Sequence, residues 1–252
     1  MKKFGTSLAT FVAAIVFLGS QASALSPYQT GQVGVDISWP NCSASVPAGT
    51  PFGVVGVSYG RAYSVVNPCL GTEAANFPNG KLSLYANTGL NIDKTSPETY
   101  YQKAFAKGNC AADLNPDVCG ARSYGYYAGQ QIAQQSIDAG VKSPNWWLDI
   151  ETVNTWNGGP SLDAQSIQGE YDGIHSVLDP VQPGVVIGAY STNYQWNTIA
   201  GSFKPGWNVW YATAERRASA AIKYCDSNTY SFAGGPVQLV QFKGKIDQDY
   251  AC

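Results

Sequence analysis

Two carboxylates stand two residues apart in the segment 145–152, N-W-W-L-D-I-E-T. Trp146, Trp147, Leu148 and Ile150 are aromatic and apolar types that suit a buried β-strand, so Asp149 and Glu151 interrupt an otherwise hydrophobic stretch. Strand side chains alternate faces, which points both acids the same way with Cα atoms about 6.6 Å apart. Two carboxyls sharing a partly dry site cannot both ionise at their free pKa values, so one is held protonated near neutral pH. An acid beside an anion is the equipment of glycoside hydrolysis, and the C-terminal end of a barrel strand is where such groups sit. The plainer reading is a strand end whose acids enter water or pair with Lys or Arg.

A second chemistry is written at Gly56-Val57-Ser58-Tyr59-Gly60, which matches the G-x-S-x-G nucleophile elbow. The order Ser58, Asp149, His175 is that of an α/β-hydrolase triad. The context argues against it: an elbow needs a helix directly after the Ser, but residues 61–69 are short, β-branched and stopped by Pro68. His175 falls within an amphipathic helical pattern, whereas a triad His belongs on a loop after a late strand.

The elements that must position these groups read as alternating strands and helices. Candidate strands cover residues 31–38, 52–59, 82–87, 124–128, 145–152, 185–191, 208–212 and 238–242. In the first, Val33 and Val35 share one face and Gly34, Asp36 and Ser38 the other. Ser96-Pro97-Glu98 opens a helix, residues 130–139 form another ending at Gly140, and Leu162, Ile167, Tyr171, Ile174 and Leu178 recur at helical spacing. Residues 110–119 read as a surface excursion. Eight strands interleaved with helices predict an α/β chain with a parallel sheet closed into one TIM-like (β/α) barrel, some of its helices missing or replaced by loops. Tyr59, Tyr85, Tyr126, Tyr190 and Trp210 fall near strand ends, where such a barrel builds its site; each alone is more often a core residue.

Residues 1–24 carry the marks of a secretory signal peptide: Lys2 and Lys3, an apolar run from Leu8 to Leu18, and Ala22-Ser23-Ala24 as the cleavage site. The expected product is a single domain over residues 25–252, secreted or associated with a cell wall, and monomeric. Six cysteines in an exported chain predict three disulfides. Pairing of nearest neighbours, Cys42 with Cys69, Cys110 with Cys119 and Cys225 with Cys252, gives three separate loops. No metal or other cofactor is expected, since there is no C-x-x-C and His175 is the single histidine. A formal net charge of −2 with only 13% charged residues leaves no footprint for nucleic acid or an anionic membrane. The 16 Tyr and 7 Trp suit a neutral polysaccharide partner, whose sugar faces stack on flat amphipathic rings.

Taken together these segments resemble the glycoside hydrolase family 25 lysozymes, or a divergent secreted group related to them. That family opens with G-x-D-x-S, matched by Gly34-Val35-Asp36-Ile37-Ser38, and carries D-x-E, matched by Asp149-Ile150-Glu151. Tyr190-Ser191, Tyr194 to Trp196 and Trp210-Tyr211-Ala212 resemble its later strand ends. Its W-Q-Y and V-D-x-N turn have weaker counterparts in Leu239 to Phe242, including Gln241, and in Ile246 to Asp249. Val240 and Phe242 replace the Trp and Tyr of W-Q-Y, Tyr126-Tyr127-Ala128 stands for a Tyr-His-Phe strand, and Asp249 replaces Asn. The resemblance implies a muramidase that cleaves the bond between N-acetylmuramic acid and N-acetylglucosamine in peptidoglycan. Glu151 would donate the proton, Asp149 would orient the acetamido group or stabilise developing charge, and Asp36 and Asp247 would support the cleft floor. Tyr59, Tyr85, Tyr126, Tyr190, Trp210 and Gln241 would contact the glycan. The competing classes are a catalytically silent glycan-binding or surface barrel, and a serine hydrolase built on Ser58.

Overall fold

A computed structural model describes residues 26–252; the expected signal peptide lies outside the described residues. Eight strands close into a barrel in sequence order: β1 (Val33–Ile37), β2 (Gly53–Gly56), β3 (Leu82–Asn87), β4 (Asn145–Asp149), β5 (Val186–Ser191), β6 (Trp207–Ala212), β7 (Gly234–Phe242) and β8 (Gln248–Ala251). Neighbours from β1 to β7 pair in parallel, while β8 runs antiparallel to both β7 and β1. Seven strands match the expected ones. The expected eighth, residues 124–128, is not a strand, and β8 was not foreseen.

Residues 124–128 lie inside a helix, α3 (Pro116–Asp138), which also absorbs the helix expected at 130–139. The β-forming tyrosines are overruled by packing. Buried Gly120, Ala121, Tyr124, Gly125, Ala128, Gly129, Ile132 and Ala133 recur at helical period, forming a stripe of mostly small residues. That stripe meets α4 (Pro160–Leu178), whose own Gly169 and Gly173 face it. A methyl group at Gly125 or Gly129 would overlap the carbonyl oxygen of Ser166 or Glu170, and one at Gly169 or Gly173 that of Arg122 or Tyr126. The two helices therefore touch backbone to backbone.

The remaining helices are α1 (Leu70–Ala74), α2 (Tyr100–Lys107), α5 (Asn193–Ala200), α6 (Ala218–Ala221) and α7 (Ser227–Tyr230). Helix α2 starts later than Ser96 predicts: Thr99 is the cap, its hydroxyl accepting from Gln102 N at 3.2 Å. The β1–β2 connection holds only a 3-10 turn at Trp39–Asn41, and a loop links β7 to β8. Those two connections carry no α-helix. Disulfides join Cys42 to Cys69, Cys110 to Cys119 and Cys225 to Cys252. Among the described residues no helix is long and apolar enough to cross a membrane.

Strand alternation divides the apolar residues into two cores. Outward residues such as Val35, Ile37, Trp146 and Leu148 pack under the helices. Inward, Phe52, Val54, Trp147, Tyr190, Trp210, Leu239 and Ala251 fill the barrel. Tyr28, just before β1, plugs this interior: its hydroxyl accepts from Trp147 Nε1 at 2.8 Å and bonds Ser83. The barrel is a packed plug on which an open acidic layer rests.

Candidate active site

The same alternation that sends Trp147 into the barrel core places Asp149 one layer above it, at the C-terminal end of β4. In register beside it stand Asn87 on β3 and Tyr190 on β5. Ile150 N donates to Tyr190 O at 2.9 Å and Thr88 N to Asp149 O at 3.1 Å, so the extended chain continues past β4 and delivers Glu151 to the same opening. Trp156 Nε1 holds the Glu151 carbonyl at 2.8 Å, and Ser191 Oγ holds the Ile150 carbonyl at 2.7 Å. The segment is fixed from both sides.

A cleft of about 470 Å³ opens here, lined by Asp36, Tyr85, Asp149, Glu151, Tyr190, Trp210, Gln241 and Asp247 among others. The bare Cα of Gly56 leaves the space that the Tyr85 ring occupies. Gln241 Nε2 donates to Asp36 Oδ2 at 3.1 Å, and its oxygen accepts from the Tyr190 hydroxyl at 2.8 Å. Asp36 N donates to the Asp247 carbonyl at 3.1 Å, but the Asp247 side chain is exposed on the wall, not on the floor where the resemblance would put it. Lys245 also lines the cleft.

Burial on the dry plug governs the electrostatics. Burial, then the charge of Glu151, pushes the Asp149 carboxyl well above the usual range, against the opposing hydrogen bond from Asn87 Nδ2. Glu151 is also raised by burial, opposed by Gln195 and by its own hydrogen bond with Asp149. The two carboxyls titrate as a pair, which keeps a proton to higher pH than a free carboxyl would. Asp149 is the more deeply buried of the two acids. A parallel pair lies across the barrel. Burial and Asp247 push Asp36 up to about 7, while burial and Asp36 push Asp249 well above the carboxylate range despite Trp210 Nε1 donating to it at 2.7 Å.

Asp36, Tyr85, Asp149, Glu151, Tyr190, Trp210, Gln241 and Asp247 therefore converge. Two expected contacts do not. Tyr126 lies on α3, turned to Tyr127 and to the α4 contact, because residues 124–128 are helical. Tyr59 stacks on Trp39, with centroids 4.0 Å apart, and does not line the cleft, because β2 ends at Gly56. Three groups are not predicted as site residues by the sequence. Asn87 could have been found, since it is two residues from Tyr85 on a correctly read strand. Asp249 reads as a loop acid unless β8 is recognised. Gln195, whose Oε1 accepts from Thr152 N at 2.7 Å, reaches the site from α5 with no local signal.

Ser58 is buried, and its hydroxyl donates to Asn87 Oδ1 at 3.2 Å. His175 Nδ1 instead sits 3.0 Å from Asp179 on α4. No nucleophile–base contact joins Ser58 to His175. Among the described residues, no three His, Cys, Asp or Glu side chains form a metal-binding group.

No family model and no curated protein matches the chain. Among solved structures it is similar to the catalytic domain of endolysin ply40 from bacteriophage P40 of Listeria monocytogenes. That likeness has 16% identity, covers 88% of this chain and 94% of the other, and has a TM-score of 0.44.

Proposed function

We propose that this protein is a secreted glycoside hydrolase, with residues 25–252 as its domain, that cleaves the N-acetylmuramic acid to N-acetylglucosamine bond of peptidoglycan. The observation that carries this reading is the Asp149 and Glu151 pair, two residues apart and both lining one open cleft, with both pKa values raised by burial. The family 25 resemblance supplies the substrate.

The placement of the pair selects a mechanism. Carboxyls that flank a glycosidic bond stand about 5–5.5 Å apart in retaining enzymes and about 6.5–9.5 Å apart in inverting ones. Asp149 and Glu151 leave the same strand end two residues apart and both line the cleft, so they act from one side and Asp149 is not the nucleophile. The acetamido oxygen of the N-acetylmuramic acid attacks its own C1 while Glu151 passes its proton to the leaving oxygen and the C1–O bond breaks. Asp149 accepts the acetamido N–H, which favours its anionic form and leaves the pair's proton on Glu151 for bond cleavage. Water then attacks C1, the acetamido oxygen departs, and Glu151 takes the water's proton, restoring the acid with net retention. Asn87 and Gln195 hold the two carboxyls in place throughout.

The test is a digest of purified peptidoglycan, reduced with borohydride and analysed by mass spectrometry. Reduced N-acetylmuramic acid ends are expected; reduced N-acetylglucosamine ends would refute the bond assignment, and no new ends would refute the activity.

A further inference from the structure

A groove of about 500 Å³ lies outside the barrel, between the loop after β2 and helices α2 and α3, and shares no lining residue with the acidic cleft. Its aromatic walls are Tyr63, Tyr100 and Tyr127. Tyr100 is 56% exposed, and its ring lies nearly parallel to Tyr63 with centroids 4.5 Å apart. Tyr63 has φ +60°, a left-handed backbone that a bulky residue adopts rarely and at a cost, typically where function requires it. Its hydroxyl donates to Tyr124 O at 2.7 Å, which locks the ring beneath Tyr100. The left-handed backbone and this bond together fix the aromatic surface of the loop.

Polar groups at the groove are equally specific in kind. Gln131 and Gln134 use their amide N–H groups on Ser64 O at 3.2 Å and Asp138 at 2.7 Å, and their oxygens accept no protein hydrogen bond among the described residues. The charged residues of the lining are both cations, Lys103 and Lys107, in a chain that is acidic as a whole. Lys107 Nζ stands 3.9 Å from the Tyr127 ring centre, and Lys103 makes only a solvent-exposed pair with Glu98, a contact that exchanges readily. Flat rings take the apolar face of a pyranose, amide oxygens take its hydroxyls and ammonium groups take carboxylates.

We propose that this groove is a second glycan-binding site, which takes an amino-sugar strand bearing carboxylates such as the lactyl group of N-acetylmuramic acid. It rests on the wall-glycan reading above for its ligand but not on hydrolysis. Held there, the protein stays on its polymer while the cleft works along another stretch, a gain in effective concentration.

The experiment titrates the intact protein carrying Glu151→Gln, which leaves the probe uncleaved, with soluble N-acetylglucosamine–N-acetylmuramic acid oligomers, followed by backbone amide shifts. Shifts are expected in residues 100–107 and 127–134, and Tyr100→Ala, at an exposed position, should weaken groove binding roughly tenfold. Lys107→Gln, also exposed, should weaken binding of these oligomers more than that of an N-acetylglucosamine oligomer, which lacks carboxylates. Absence of groove shifts, or groove affinity indifferent to both substitutions, overturns the proposal. A wild-type protein that binds at the groove but releases no reducing ends from peptidoglycan would sink the hydrolase reading and leave the groove intact. Active protein with a silent groove would do the reverse.

Discussion

In the resting cleft burial raises the carboxyls of Asp149, Glu151, Asp249 and Asp36, so four acids coexist over an apolar plug without four charges. Ser58 touches this system only through Asn87. Ser58→Ala should therefore retain turnover within about tenfold, the worth of one indirect neutral hydrogen bond; complete loss with an intact circular dichroism spectrum would restore the serine-hydrolase reading. Asp249→Asn removes a buried group that must stay protonated but keeps a partner for Trp210. It should raise the denaturation midpoint at pH 8 and raise that at pH 5 by less, as differential scanning fluorimetry would show. Asp36, Asp149 and Glu151 were legible because period-2 alternation along an apolar strand says which way a side chain points. Tyr126 falls outside the site because that alternation holds only along a strand, and residues 124–128 are helical.

Seven of the strands could be read because each couples β-forming residues to turn signals at both ends. Strand β8 could not, since only four residues long and centred on Asp249, it depends on barrel closure to bury its acid. Helix α3 was missed at its centre because three tyrosines flank Gly125, and neither local type nor propensity reveals that a second helix approaches there. Gly169→Ala tests that account. Propensity alone would gain up to about 1 kcal/mol, but the methyl meets the Arg122 carbonyl, and overpacking typically costs about 1–3 kcal/mol. A net loss of stability in urea denaturation is expected; a gain would show that the helices do not meet there.

At the scale of the molecule, the three disulfides close separate loops, and the Cys225–Cys252 bond anchors the chain just after β8 and hence just after Asp249. Buried acids dominate the pH response. Asp36, Asp149, Asp249 and Glu170 all have folded pKa values above their ordinary ones of 3.8 to 4.5, so the folded chain binds more protons than the unfolded chain. Their contribution to stability is full below pH of about 4 and is lost as pH rises through the folded values, Asp36 near 7 among them. Urea midpoints should fall steadily from pH 5 to pH 8; a flat or rising profile would contradict the buried-acid arrangement. Activity should fall over the same alkaline limb, because the leaving oxygen needs a protonated Glu151. The most direct test of that role compares wild-type protein and Glu151→Gln for release of reducing ends from purified peptidoglycan, alongside sedimentation of each with the intact wall. Loss of turnover by about 10²- to 10⁴-fold with wall binding retained is the expected result, and equal turnover of the two proteins would contradict the account.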